Sequence, residues 1–213
     1  MSEMEQRQIP VLYLVVPCYN EEEVVEKSAS VMGDKIRRLE RAGKIAKGSK
    51  IMFVNDGSKD KTLYLLHQIA GKDKLFCVVS LAGNYGHQSA ILAGMMMARQ
   101  YADAVVTIDA DLQQDIEALD TFLSRYMDGC EVVYGVRNDR HSDGIFKKAT
   151  ATAYYKLMHM LGSTVMTNHA DYRLMSKKAL NALAEYKETN LFLRGLIPTM
   201  GFPSDVVYFD VKA

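Results

Sequence analysis

Short runs of Val- and Ile-rich residues alternate along this chain with longer segments in which apolar positions recur every three or four residues. Five runs read as strands buried on both faces, being short and continuously apolar: Val11 to Val16, Ile51 to Asn55, Phe76 to Leu81, Ala104 to Asp109 and Glu131 to Val136. Between the first two, Val25, Ala29, Met32, Ile36 and Leu39 repeat at helical spacing. Asn20, followed three residues later by Glu23, predicts an N-cap with its capping-box partner. The segment "GFPSDVVYFDVKA" alternates as a further strand would. Regular β-α-β alternation predicts parallel strands in a doubly wound α/β sheet, where ligands bind at the carboxyl ends of the strands.

Polar clusters stand at those ends. "PCYNEEE" (Pro17 to Glu23) follows the first strand and "NDGSKDKT" (Asn55 to Thr62) the second, while "NYGHQSA" (Asn84 to Ala90) and "DADLQ" follow the third and fourth. Each alone reads as ordinary turn or helix-start chemistry. Four at four consecutive strand ends point to one shared site. No linker-like shift in composition and no internal repeat interrupts the series, so residues 1–213 read as a single domain.

Composition narrows the function classes. With 213 residues and 48% apolar content the chain can bury one sizeable core. Its 26 basic and 26 acidic residues balance, which argues against a surface built for nucleic acid. Cys18, Cys77 and Cys130 are scattered without metal-site spacing and read as reduced thiols. The N-terminal "MSEMEQRQ" lacks the basic start and apolar core of a signal peptide, and "VLYLVV" is too short to span a bilayer, so the chain as given reads as soluble.

The stretch "VVTIDADLQ" carries the sharpest chemistry. In an extended chain Asp109 and Asp111 share a face, with Ala110 turned away. Two carboxylates so close repel unless solvent screens them or a cation lies between. A solvated acidic turn is one reading. The other is a hard divalent ion, Mg2+ or Mn2+, which often takes only one or two carboxylates and completes its coordination with water and phosphate oxygens.

Taken in order, "VVPCYNEEE", "VNDGSKDKT", "NYGHQSAILAG", "DADLQ" and "DYRLMS" resemble the family 2 glycosyltransferases of GT-A fold. The resemblance covers nearly the whole chain and lies with the polyprenyl-phosphate branch, that of bactoprenol glucosyltransferases and dolichol-phosphate mannose synthases. It implies a Rossmann-like, mostly parallel central sheet flanked by helices. It also implies inverting transfer of a sugar from a nucleotide donor, UDP-glucose first among them, to a polyprenyl phosphate. Pro17, Tyr19, Glu21 and Asp56 stand where such enzymes hold nucleobase and ribose, although Asn55 replaces a more usual Asp. Asp109, Asp111 and Gln113 match the metal and diphosphate site, whereas "QDIE" departs from a more usual Asp-Pro-Pro-Glu and leaves Gln114 and Asp115 without an assigned role. His87 is a candidate contact to donor phosphates, with a plain helix start as the alternative. Asp171 matches a carboxylate near the reacting centre, as a base or as an orienting group for Arg173; these two and Asp111 form the catalytic set.

From Arg137 to Lys178 eight Lys or Arg face three Asp, a local excess of positive charge in a neutral chain. A solvated helix face explains this equally well on composition alone. The resemblance places Arg137, Lys147 and Lys148 among residues that bind acceptor phosphate, with Arg137 and Arg173 also near the donor. Ile145, Phe146, Tyr154, Tyr155 and Leu157 interleave with these charges as a lipid-facing surface requires, or as helix core does. The resemblance further implies that the chain stops before C-terminal membrane-associated helices, so that the full-length protein acts at the cytoplasmic face of the cell membrane. It leaves a homo-oligomer of that form open.

Three rivals remain. A family 2 enzyme with a saccharide acceptor in cell-surface polysaccharide synthesis fits the donor motifs, but the processive synthases carry Gln-x-x-Arg-Trp and this chain has no tryptophan. A non-catalytic nucleotide-sugar-binding module has no need of both carboxylates. A dehydrogenase on a doubly wound sheet lacks its G-x-G-x-x-G after the first strand.

Overall fold

The structure is a computed structural model, and it describes residues 7–138, 169–187 and 192–211. Seven strands form one sheet in the order β3-β2-β1-β4-β6-β5-β7: β1 Leu12–Cys18, β2 Lys50–Asn55, β3 Phe76–Ser80, β4 Ala104–Thr107, β5 Val132–Arg137, β6 His169–Ser176 and β7 Ser204–Phe209. Helices α1 Val25–Arg41, α2 Thr62–Lys72, α3 His87–Ala98, α4 Leu119–Met127, α5 Lys177–Leu183 and α6 Leu193–Thr199 flank it, with a 3-10 turn at Ile116–Ala118.

All five predicted strands are present, and the alternating C-terminal segment supplies β7. β1 is buried along its whole length because both faces are covered. Leu12, Leu14 and Val16 face a layer with α1 and α4, while Tyr13 and Val15 face one with α3, α5 and α6. Gly94 lets α3 lie directly on the sheet, since a Cβ there would run into Val15 and Val54. That close approach sets the start of α3, with His87 and Gln88, over the carboxyl edge.

The sheet is mostly parallel, as the resemblance implies: β6 inserts antiparallel between β4 and β5, pairing Thr107 with Arg173 and Tyr134 with Arg173. The capping box, in contrast, does not form. Helix α1 begins at Val25 with no side-chain cap, because Asn20 adopts a left-handed backbone (φ 56°). Its side chain accepts instead from the Lys59 N–H at 2.8 Å. The Glu21 carbonyl accepts from the Val24 and Val25 N–H groups in place of a cap. Tertiary pairing of two loops thus overrides a local capping signal.

Strand order reverses between β1 and β4, whose chain neighbours run to opposite sides, and a cleft opens at their carboxyl ends. Pairing of β1 with β4 stops at Val15 and Thr107, so Pro17 falls where the ladder has opened and its missing donor is tolerated.

Candidate active site

A cavity of about 310 Å³ occupies this cleft. Pro17, Tyr19, Glu21, Asp56, His87, Asp109 and Asp111 all line it. The β1 and β2 loops that form one wall are zipped together. Asn20 donates its N–H to Ser58 Oγ at 3.0 Å, Glu21 its N–H to Thr62 Oγ1 at 2.7 Å, and Lys61 its N–H to Glu22 Oε2 at 2.8 Å. Asn55 has a structural use for its amide. Nδ2 donates to Ser80 Oγ at 3.0 Å while Oδ1 accepts from Ser58 N–H at 3.3 Å.

Asp56 is buried, and each carboxylate oxygen accepts a backbone N–H, Tyr85 to Oδ1 at 2.8 Å and Gly86 to Oδ2 at 2.9 Å. It therefore anchors the loop that leads into α3. Gly57 allows the approach, since its backbone is left-handed (φ 66°) and a Cβ would clash with Gly83. A carboxylate oxygen accepts more than one hydrogen bond, so this anchoring leaves acceptor capacity for a ligand.

β4 ends at Thr107, two residues earlier than predicted, so Asp109 and Asp111 lie in the following turn rather than on an alternating strand. Leu112 takes a left-handed backbone (φ 57°), and Gln113 N–H donates to Asp111 Oδ1 at 3.0 Å. The two carboxylates still meet at one cavity. Burial raises the Asp109 carboxyl above its ordinary range; Asp111 and Asp171 push the same way, while His87 and Arg137 oppose them. Glu21 is raised likewise by burial and then by Asp111, Asp109 and Asp60. Clustered anions whose charge is disfavoured make a site that gains from a cation. Among the described residues no group of three or more His, Cys, Asp or Glu side chains is arranged to hold a metal alone. The donor set, two hard carboxylates open to a cavity, suits an ion that shares its coordination with phosphate oxygens. Gln113 itself is exposed beside them.

His87 bridges the two acidic centres, its Nε2 lying 3.5 Å from Asp109 Oδ1 and 3.4 Å from Asp171 Oδ2. Its pKa is raised, first by the hydrogen bond with Asp171 and then by both carboxylate charges against the opposing effect of burial.

Asp171 is buried at the β6 end of the site, where the Thr107 hydroxyl donates to its carbonyl. Gln88 Nε2 donates to Oδ2 at 2.8 Å and Arg173 to Oδ1 at 2.7 Å. Arg194 donates twice, from Nε to Oδ1 at 3.1 Å and from its terminal nitrogen to Oδ2 at 2.8 Å. Burial alone would raise this carboxyl, yet hydrogen bonds from His87, Arg194 and Gln88, with the Arg173 charge, hold it well below the usual carboxylate range. Arg173 is only 1% exposed and, like Asp171, does not line the cavity; Asp171 connects it to His87, which does.

Arg137, at the exposed end of β5, lies within electrostatic reach of Asp109. Lys147 and Lys148, and the apolar residues between 145 and 157, lie outside the described residues. Two participants escaped the sequence reading, Arg194 and Gln88, while Gln114, left there without a role, bonds directly to Asp109. Arg194 carries the clearest signal, a lone cation in the apolar run "LFLRGLIP".

This sheet, with its single antiparallel strand and its cleft at the β1 and β4 ends, defines a GT-A fold. The mannosyltransferase PcManGT of Pyrobaculum calidifontis, solved with GDP-Man and Mn2+, superposes with a TM-score of 0.60 at 17% identity, over 94% of this chain and 56% of that one. Glucosyl-3-phosphoglycerate synthase of Mycobacterium tuberculosis, solved with Mn2+ and UDP, gives 0.56 at 16% identity, over 95% and 71%. The chain belongs to glycosyl transferase family 2, whose model matches residues 13–184. It is 47% identical over 209 residues to the uncharacterized glycosyltransferase YkoT of Bacillus subtilis, covering 98% of this chain and 62% of that protein. It is 34% identical over 197 residues to the bactoprenol glucosyl transferase of Shigella phage SfX, covering 92% and 62%. This chain thus spans about 62% of the length of these relatives. Among the described residues no helix is long and apolar enough to cross a membrane.

Proposed function

We propose that this chain is the catalytic domain of an inverting glycosyltransferase that moves glucose from UDP-glucose to a polyprenyl phosphate at the cytoplasmic face of the cell membrane. The observation that carries this reading is the placement of Asp109 and Asp111 on the same cavity as Pro17, Tyr19 and Asp56. A nucleotide held by the β1 and β2 loops brings its diphosphate to the two carboxylates. Asp109 and Asp111 would hold Mg2+ or Mn2+ with Gln113 beside them, and the ion supplies charge neutralisation for the departing nucleoside diphosphate.

Asp171 supports a phosphate acceptor. A hydroxyl acceptor needs a base to take its proton, and a carboxylate held far below its usual range takes one poorly. A phosphate acceptor is already ionised and needs orientation and countercharge instead. Asp171 in this reading aligns Arg194 and Arg173, and Arg194 and Arg137 offer guanidinium groups to phosphate oxygens. The resemblance assigns Lys147 and Lys148, outside the described residues, to acceptor-phosphate binding as well. The similarity to bactoprenol glucosyl transferases supports the lipid class.

The test is transfer of radiolabelled glucose from UDP-glucose to polyprenyl phosphate by the full-length protein in membranes, with Mn2+ and with excess chelator. Label appearing in a polysaccharide with none in lipid would overturn the acceptor assignment.

A further inference from the structure

We propose that Gln114 is a positioning residue for Asp109, dividing the work of that carboxylate between its two oxygens. The inference rests on the reading of Asp109 as a cation ligand. Gln114 is the residue at which "QDIE" departs from the resembled pattern, and it is 2% exposed beneath the turn. Its amide closes a ring with a single residue: Oε1 accepts the Asp109 backbone N–H at 3.0 Å, and Nε2 donates to Asp109 Oδ2. Oδ2 thereby spends one lone pair on the amide, and the carboxylate is fixed in orientation. Oδ1 is the oxygen that stands 3.5 Å from His87 Nε2, on the cavity side.

Only an amide performs both halves of this contact, since it carries a donor and an acceptor on one planar group. A Glu of equal length still accepts from the backbone, but it offers no proton to Oδ2 and sets another anion against Asp109. A Met of similar volume does neither. The turn makes the reach possible. Leu112 reverses the chain through its left-handed backbone, and Tyr172 Oη donates to the Asp115 carbonyl at 3.1 Å, which pins the residue after Gln114. Ser28 Oγ donates to the Ala110 carbonyl from the other side. The turn on either side is held by Tyr172 and Ser28 without Gln114, so loss of the amide frees the Asp109 carboxylate together with its own N–H. Groups that orient a metal ligand in this way typically change metal affinity by roughly 10- to 100-fold when removed.

The experiment measures Mn2+ binding from the EPR signal of the free ion, with UDP present, for wild type, Gln114→Glu, Gln114→Met, Asp109→Asn and the double variant Asp109→Asn/Gln114→Met. UDP affinity without metal and circular dichroism are recorded on each. The expected result is a loss of Mn2+ affinity of roughly 10- to 100-fold in both Gln114 variants, with metal-free UDP affinity unchanged. Gln114→Met should add nothing once Asp109 is Asn, because the two residues act through one carboxylate. Three results overturn the proposal: Mn2+ affinity within about twofold of wild type in a folded Gln114 variant, full additivity with Asp109→Asn, or failure of both Gln114 variants to fold, which assigns Gln114 to the core. A wild-type chain that binds no Mn2+ with UDP overturns the donor-site reading itself, before any variant is compared.

Discussion

Arg194 and Asp171 meet edge to edge across α6 and β6, Nε to Oδ1 at 3.1 Å and the terminal guanidinium nitrogen to Oδ2 at 2.8 Å. The carboxylate is buried whereas the arginine side chain is 47% exposed, so the pair joins the protein interior to solvent. A guanidinium fixed on one edge retains donors for a second anion.

Arg194→Lys keeps the charge and loses the fork. Transfer should fall by roughly tenfold or more, because an ammonium cannot make both bonds to Asp171 and still offer an oriented donor. Stability should drop by no more than about 1 kcal/mol, since the exposed half of the pair is screened by solvent. Steady-state kinetics with urea denaturation measures both; unchanged kcat and KM would remove Arg194 from the site.

Asp111→Asn removes a charge at an exposed turn without changing shape. Its own hydrogen bond, accepted at Oδ1 from Gln113 N–H, survives in the amide. The fold should persist, with Tm close to that of wild type, while metal-dependent donor binding and transfer disappear. Wild-type turnover in excess chelator, or an active Asp111→Asn chain, contradicts the two-carboxylate site.

In the proposed donor site Asp56 would link nucleobase recognition to the loop before α3, which it anchors. Asp56→Ala leaves the Tyr85 N–H without its partner and the Gly86 N–H with Asn84 Oδ1 alone, which should cost about 1–3 kcal/mol of stability and weaken UDP binding together. UDP should also bind better than CDP, whose ring nitrogen offers no proton to a carboxylate. Calorimetry giving equal affinities for the two nucleotides rules out the contact with the base and leaves Asp56 as a loop anchor.

His87 makes stability depend on pH in a defined direction. Its folded pKa is raised, chiefly by Asp171, so the stabilisation is fully present below the unfolded value of about 6.5 and is lost as pH rises through the folded value. Asp171 acts oppositely: its lowered pKa gives stability present above the ordinary carboxylate range and lost only in strong acid. Urea midpoints should therefore decline from about pH 6.5 upward in wild type and stay flatter in His87→Gln. Parallel slopes for the two chains would show that His87 is not the group responsible.

Hydrophobic periodicity is a local property, and it was enough to determine five strands, the α1 face and the last strand, because buried two-sided strands and an amphipathic helix each declare themselves within a few residues. The order of polar clusters along the chain likewise determined which strand ends line the cavity, since a doubly wound sheet places those ends along one edge. Tertiary structure alone decided how those groups meet. The antiparallel entry of β6 between β4 and β5 sets Arg173 beside Thr107 and Tyr134, a pairing that no spacing in "DYRLMS" discloses. Arg194 reaches Asp171 from 23 residues downstream, and Gln88 reaches it from 83 residues upstream, through the crossing of α3 and α6 over the sheet edge. Asn20 gave up its cap for Lys59, and Gln114 turned back onto Asp109, for the same reason. A side-chain amide or guanidinium bonds to whichever partner the packing of distant elements brings within about 3 Å, and sequence neighbourhood does not specify that partner.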